Sequence, residues 1–273
     1  MTDQSSVLPR DMSPKLATVV PIRDRPALIA EAQNIATRYG LPFSLRGHRT
    51  RRKVVEDCGG WILMLQGDGL CFHSESANYR FHPGTAHLRQ LMLAQGKQIH
   101  LLMALELQPE DAVLDCTLGQ ASDGQLIIAQ LGDKGRYVGL EQSAPIYWVV
   151  AEGLRKAALQ WERAPHVEVH HTDHLTFLQR QADNSFDIVY FDPMFRTHIE
   201  ASTNMDDFID IANHAPLTQA AFDEARRVAK RSVVIKERFY SEVFAQLKIR
   251  QYPHRFVTPG KRTTSYAVVD VRS

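Results

Sequence analysis

From about residue 107 onward, short apolar runs alternate with stretches of helical spacing, which restricts this part of the chain to a parallel sheet with helices on its faces. Strands are predicted at Ala112–Cys116, Arg136–Leu140, Val167–His170, Phe186–Phe191 and Ser232–Lys236. The intervening helices are predicted at Gln125–Leu131, Ala144–Leu159, Leu175–Gln181, Thr218–Ala229 and Ser241–Leu247. Two last strands, Arg255–Thr258 and Tyr266–Val271, have no helix between them and should pair as an antiparallel hairpin at or near the sheet edge.

The first of these units carries the most specific local pattern. In Asp111–Gly124 (D-A-V-L-D-C-T-L-G-Q-A-S-D-G) an apolar strand ends on Asp115, a turn contains Gly119, and Asp123 stands where the next helix begins. A Rossmann-like sheet opens its nucleotide site at that place. The dinucleotide fingerprint G-x-G-x-x-G brings bare backbone to a pyrophosphate, whereas this turn is edged by acids. Acids repel phosphate and attract ammonium, so a cationic cofactor is expected, and S-adenosylmethionine, with its sulfonium and α-ammonium, fits.

Ligands of an open parallel sheet bind beyond the carboxyl ends of its strands. Polar residues mark each of those ends: Asp115, Glu141, Asp173 and Asp192 in order. Glu141 follows Asp115 by 26 residues, close to the spacing at which a carboxylate takes ribose hydroxyls, although an acid at a helix start also complements the dipole. Asp173 either accepts from an adenine amino group or caps the helix after it. Thr117, Gln142 and His174 flank these acids and complete the candidate cofactor set, in which Asp192 is also counted. Asp192-Pro193-Met194-Phe195 places a carboxylate, a proline carbonyl and an aromatic at the pocket mouth, where a planar amine can be held for direct methyl transfer. Asp192, Pro193 and Phe195 are therefore the catalytic candidates, and Met194 and Arg196 adjoin the substrate. The run His170-His171-Thr172-Asp173-His174 suggests no metal, because neighbouring strand residues face opposite sides and no Cys/His cluster accompanies it. The apolar stretch Tyr147–Val150 reads as core packing of the helix after Glu141.

Upstream, residues 1–17 read as a flexible tail and 18–84 as a small α/β substrate-recognition domain. That domain has a strand at Thr18–Ile22, a helix at Pro26–Tyr39 closed by Gly40, and a hairpin of Trp61–Gln66 and Leu70–His73 about Gly67-Asp68-Gly69. Linking helices follow over 85–106, with a break at Gly96. Net charge is only +1, yet Arg46, Arg49, Arg51, Arg52 and Lys53 fall in one octet, which reads either as a phosphate-holding patch or as a solvated loop or helix start. Lys236, at a strand end, reads either as a phosphate contact or as a surface lysine. The three cysteines, Cys58, Cys71 and Cys116, have neither zinc spacing nor an even count. A hydrophobic share of 44% suits a globular core, and no apolar run reaches the roughly 18 residues of a membrane span. The opening residues carry no apolar signal segment, so the cytoplasm is the expected compartment.

These motifs support a family resemblance. Residues 107–273 resemble the class I S-adenosylmethionine-dependent methyltransferases. L-D-C-T-L-G-Q-A-S-D (114–123) with Y-F-D-P-M-F (190–195) is similar to a bacterial family which in turn resembles the methyltransferase of the guanine exocyclic amine in small-subunit ribosomal RNA. The resemblance reaches upstream through Phe81-His82-Pro83-Gly84. It implies an α/β fold with a Rossmann-like seven-stranded sheet, cofactor contacts at Asp115, Gly119, Asp123, Glu141 and Asp173, and a target amine at Asp192 to Phe195. The chain departs from the pattern at Ala121, where relatives often carry glycine, at Met194, which replaces the second proline of D/N-P-P-Y/F, and at Arg196, where the ribosomal enzyme has proline. The expected activity is methylation of an RNA base amine, ribosomal RNA first, with Arg49, Arg51, Arg52, Lys53 and Lys236 on the RNA backbone. Methylation of a small molecule or protein side chain, and a binding role without catalysis, remain the alternatives.

Overall fold

The computed structural model describes residues 16–67, 69–82, 84–159, 161, 163, 165–193, 211–212, 215–259 and 264–271. The chain divides into two compact units, Met1–Gly67 with Phe72–Ser76, and Asp68–Cys71 with Ala77–Ser273.

In the first unit, β1 (Thr18–Pro21), α1 (Pro26–Tyr39), α2 (Arg51–Asp57) and β2 (Ile62–Gln66) follow in order, and the next strand, β3 (Gly69–His73), is divided between the two units. Strands β1 and β2 pair in parallel. Pro26 suits the first turn of α1, where its missing N–H would have had no helical partner, and Gly40 ends the helix at φ 63°, a left-handed conformation that costs glycine little. Val20, Val54, Val55, Ile62 and Met64 form an apolar cluster. The basic octet opens α2, whose N-cap Thr50 accepts a hydrogen bond from the Lys53 amide.

The second unit continues with β4 (Asn78–Arg80), α3 (Gly84–Ala94), α4 (His100–Leu105), β5 (Ala112–Asp115), α5 (Ser122–Gln130), β6 (Arg136–Glu141), α6 (Ala144–Ala158), β7 (His166–His171), α7 (His174–Gln179) and β8 (Phe186–Phe191). It ends with α8 (Gln219–Val228), β9 (Ala229–Arg238), α9 (Glu242–Gln246), a 3₁₀ turn at Ile249–Gln251, β10 (His254–Val257) and β11 (Thr264–Asp270). Its sheet has seven strands in the order β10-β11-β9-β8-β5-β6-β7. Strands β5 to β9 run parallel, and β11 is antiparallel to both β9 and β10, as the terminal hairpin requires.

Central strands covered on both faces need apolar residues at nearly every position. Accordingly Phe186, Ile188, Val189, Tyr190 and Phe191 of β8 are buried, and Leu114, Val138, Phe222 and Ile235 belong to one core cluster. Strand β9 extends beyond the predicted Ser232–Lys236, because β11 pairs with it from Ser232 to Arg238 and the chain turns from α8 into it without a loop. Helix α7 is shorter than predicted and begins one residue earlier, after its cap Asp173.

Crossovers run outward from β5 to β6 and β7, then return to β8 on the other side of β5. The gap beyond the carboxyl ends of β5 and β8 is therefore the switch point of the sheet, where a ligand crevice is expected. The two strand ends are tied there: the Cys116 amide donates to the Tyr190 carbonyl at 2.9 Å.

Upstream of the sheet, Phe81 packs against α6 at Gly153. A Cβ built on Gly153 would lie 2.2 Å from Phe81 Cγ and 2.7 Å from its Cβ. Helix propensity alone would make Gly153→Ala stabilising by about 1 kcal/mol. Overpacking against a side-chain stem costs about 1–3 kcal/mol, so Gly153→Ala should lower the urea midpoint. A raised midpoint would show that Phe81 does not seat on this helix.

Candidate active site

Four carboxylates gather around the switch point, each placed by a strand end or helix start. Asp115 closes β5 and is 1% exposed. One carboxylate oxygen accepts the Thr117 amide at 3.0 Å, and the other accepts the Tyr137 hydroxyl at 2.6 Å. Burial pushes this carboxyl up to about 7, against the opposing effect of both bonds. Gly124 in α5 leaves room for the phenol, since a Cβ there would meet the Tyr137 oxygen at 2.3 Å.

The turn after β5 needs two left-handed residues, Gly119 at φ 50° and Ala121 at φ 56°. Ala121 is the N-cap of α5 and fully buried, so the alanine found at this position adopts a backbone conformation that glycine enters more readily. The Gly119 amide donates to Glu141 Oε2 at 3.1 Å. The Ser143 amide donates to Glu141 Oε1 at 2.7 Å. Glu141 is 8% exposed, and burial raises its carboxyl above the ordinary range.

Asp123 in the first turn of α5 is enclosed by cations and a phenol. Arg89 Nη1 lies 2.6 Å from Oδ1, Lys236 Nζ donates to Oδ2 at 2.9 Å, and the Tyr190 hydroxyl donates to Oδ2 at 2.6 Å. These partners hold Asp123 well below the usual carboxylate range against its burial. Lys236 also donates to Asp192 Oδ2 at 2.6 Å. The Asp192 amide in turn donates to Thr117 Oγ1 at 2.5 Å, which fastens the end of β8 to the turn after β5. Burial pushes the Asp192 carboxyl up to about 6, with Lys236 acting against it and the Asp123 charge adding to it.

Several sequence-predicted residues thus meet at one place, though with different partners from those expected. Lys236 is not a surface lysine: its side chain is 18% exposed and spans two acids. Asp173 caps α7, with Oδ1 accepting the Thr176 amide at 2.8 Å. His174 is edge-on to Phe191, and burial lowers its pKa. The Gln142 carbonyl lies 3.0 Å from His171 Nε2, and the His171 ring stacks on Tyr147. His170 lies 3.1 Å from Glu168, and no group of three or more potential metal ligands occurs among the described residues. Pro193 is described, whereas Met194, Phe195 and Arg196 lie outside the described residues.

Much of the basic octet of the first unit is paired with the two acids that follow it in α2. Arg49 meets Asp57, Arg52 meets Glu56, and Lys53 meets both acids. Arg46 donates to the Ile22 carbonyl. Sequence reasoning missed Arg89, Tyr137 and Tyr190 as parts of the site. Tyr190 stood in the Y-F-D-P-M-F motif without an assigned role, and Arg89 was a lone charge in a linking helix.

The donor set fits a cationic adenosyl cofactor better than a phosphate-bearing one. Asp115, Asp123, Glu141 and Asp192 outnumber the two cations Arg89 and Lys236. Glu141 accepts backbone N–H groups of Gly119, Ser143 and Gln142, and a carboxylate's roughly four lone-pair sites leave capacity for a hydroxyl.

Fold and site together define a class I S-adenosylmethionine (SAM)-dependent methyltransferase. Residues 72–256 match the family model described as "Putative SAM-dependent methyltransferase", and the chain belongs to that family. SAM is the cofactor this family and fold imply. The chain is similar to "Uncharacterized protein YpiP" of Bacillus subtilis (strain 168), with 30% identity over 227 residues that cover 80% of this chain and 87% of the relative. Its fold is also like that of a SAM-dependent methyltransferase from Neisseria gonorrhoeae, with a TM-score of 0.59 and 19% identity, covering 94% of this chain and 97% of the other. No helix among the described residues is long and apolar enough to cross a membrane.

The raised Asp115 pKa makes a signed prediction. The folded state holds its proton up to about pH 7, whereas an unfolded aspartate loses it near 4. Below both values the group is neutral in both states. Between about pH 4 and 7 the folded form binds more protons, so its contribution to stability falls as pH rises and levels off above 7. Relative to Asp115→Asn, the wild-type protein should lose up to about 1.4 kcal/mol per pH unit across this window in urea unfolding. Parallel pH profiles for the two proteins would contradict the assignment.

Proposed function

We propose that this methyltransferase acts on an exocyclic amine of an RNA base, with ribosomal RNA the favoured substrate. The observation that carries the proposal is the end of β8. Asp192 is anchored through its amide to Thr117, and its carboxylate Oδ2 is held by Lys236, with the Asp123 carboxylate beside it. An ionised carboxylate only accepts hydrogen bonds. Such a group favours a nucleophile that carries N–H over one that offers only lone pairs.

SAM supplies an electrophilic methyl group on its sulfonium. The chain's residues do the rest by placement. Glu141 accepts ribose hydroxyls, and Asp115 with Asp123 keeps the turn around Gly119 in the shape that admits the cofactor. Asp192 Oδ1 and the Pro193 carbonyl accept the two amine hydrogens, which aims the nitrogen lone pair into the site. The motif assigns Phe195, Met194 and Arg196 to the base. Asp173 caps its helix, which leaves its backbone to meet the adenine with Thr117, Gln142 and His174 nearby. A base held in this way has to leave its stack or come from a loop.

The RNA backbone falls to the basic residues of α2 and the loop before it. Arg46, Arg49, Arg51, Arg52 and Lys53 outnumber their acidic partners Glu56 and Asp57, which leaves a local positive surplus despite the pairing. Phosphate contacts of this kind weaken steeply with salt.

Purified protein with methyl-labelled SAM should label ribosomal RNA, and Asp192→Ala should lose that transfer by at least 100-fold while still binding SAM. Label found only in protein or small metabolites would replace the RNA reading. Glu141→Ala should weaken SAM binding by about 10–100-fold in calorimetry, the loss expected for hydrogen bonds to a charged acceptor. Unchanged affinity would remove Glu141 from the ribose role.

A further inference from the structure

We propose that Lys236 is a positioning residue for methyl transfer: clamped between Asp123 and Asp192, it keeps Asp192 an ionised acceptor aimed at the substrate amine. This assignment rests on the reading of Asp192 as the amine acceptor.

The geometry begins with two acids from different elements. Asp123 comes from α5 and Asp192 from the end of β8, and one ammonium reaches both, at 2.9 and 2.6 Å. Lys236 comes from β9, two strands from β5, so the sheet itself carries its charge to the switch point. Two buried carboxylates that share a site do not both ionise readily; without a cation one of them takes a proton. The remaining contacts decide which one. Asp123 has Arg89 on Oδ1 and the Tyr190 hydroxyl on Oδ2, so it remains a carboxylate even when Lys236 is absent. Asp192 has Lys236 as its cation, and the other group against its side chain is the like-charged Asp123 carboxyl, which favours its protonated form. The proton therefore falls to Asp192, which then gains an O–H and opposes an N–H donor instead of accepting from it.

The other groups around Asp192 act in the same sense or are held neutral. Asp123 adds negative charge, which favours protonation, whereas Asp115 at the end of β5 holds its own proton up to about pH 7. Tyr190 of β8 and Tyr266 of β11 have phenols raised by burial and stay uncharged. Arg89 of α3 acts mainly through Asp123, which it contacts directly. Lys236 is thus the cation that touches Asp192 itself among the described residues. Its own pKa lies above the ordinary lysine value because both acids favour its charged form over the effect of burial.

The test needs no substrate. In full-length protein labelled with ¹³C at the aspartate carboxyls, the Asp192 signal is assigned by its loss in Asp192→Asn and followed against pH. Wild-type protein should titrate near pH 6. Lys236→Met should raise the proton affinity of Asp192 at least tenfold, a shift of one pH unit or more, and Lys236→Arg should restore most of the wild-type titration. If Lys236→Met does not fold, Asp123→Asn serves instead: it removes the competing charge and should move the Asp192 titration downward. An Asp192 titration unmoved by either substitution overturns the proposal. Methyl transfer to ribosomal RNA is measured separately on the same proteins. If Lys236→Met shifts the titration but Asp192→Asn transfers methyl normally, the amine reading of Asp192 has failed while the control of its charge by Lys236 stands. If Asp192→Asn is inactive and the titration is unmoved, the amine reading stands and Lys236 has a structural role alone.

Discussion

The crevice at the switch point depends on making buried carboxylates compatible with a low-dielectric interior. An isolated buried charge is costly, and a buried pair is tolerated only when its remaining hydrogen-bonding capacity is met. Here the compensation is divided by residue. Backbone amides serve Glu141, a phenol and an amide serve Asp115, and cations with a phenol serve Asp123. Asp192 is the least compensated of the four, and it is the one at the mouth of the site.

This division also explains how the sheet and the site support one another. Tyr137 on β6 reaches Asp115 on β5, Tyr190 on β8 reaches Asp123 on α5, and Lys236 on β9 bridges Asp123 and Asp192. Each of these contacts crosses between elements far apart in sequence. Gly124 provides the space for one of them, and the left-handed turn at Gly119 and Ala121 brings the start of α5 back over the strand ends. Packing of the central strands therefore places the polar network, and the network in turn fixes the turns that would shape a cofactor pocket.

Much of this architecture was legible in the sequence. The alternation from residue 107, the apolar run Phe186–Phe191 and the absence of a helix before the last strand define the seven-stranded sheet and its antiparallel end. Boundaries moved where pairing decided them: β9 lengthened because β11 supplies hydrogen bonds along it. The helix over Arg51–Asp57 and the short strand Asn78–Arg80 were not predicted as elements, since a seven-residue run dominated by charge and a three-residue strand give little periodicity to read. The basic octet also looked more available than it is, because Glu56 and Asp57 return onto it across one helical turn.

The sequence by itself determined which residues stand at the strand ends, because period and chain order place Asp115, Glu141 and Asp192 there whatever their neighbours. It also determined the sign of the ligand the site attracts, since acids at those ends disfavour phosphate. Only the tertiary structure decided how the acids are divided among their partners. Lys236 is 113 residues from Asp123 and 44 from Asp192, and Arg89 comes from a helix that precedes the sheet altogether. Charge pairing acts through space over a few ångströms, and only the folded chain brings these residues that close.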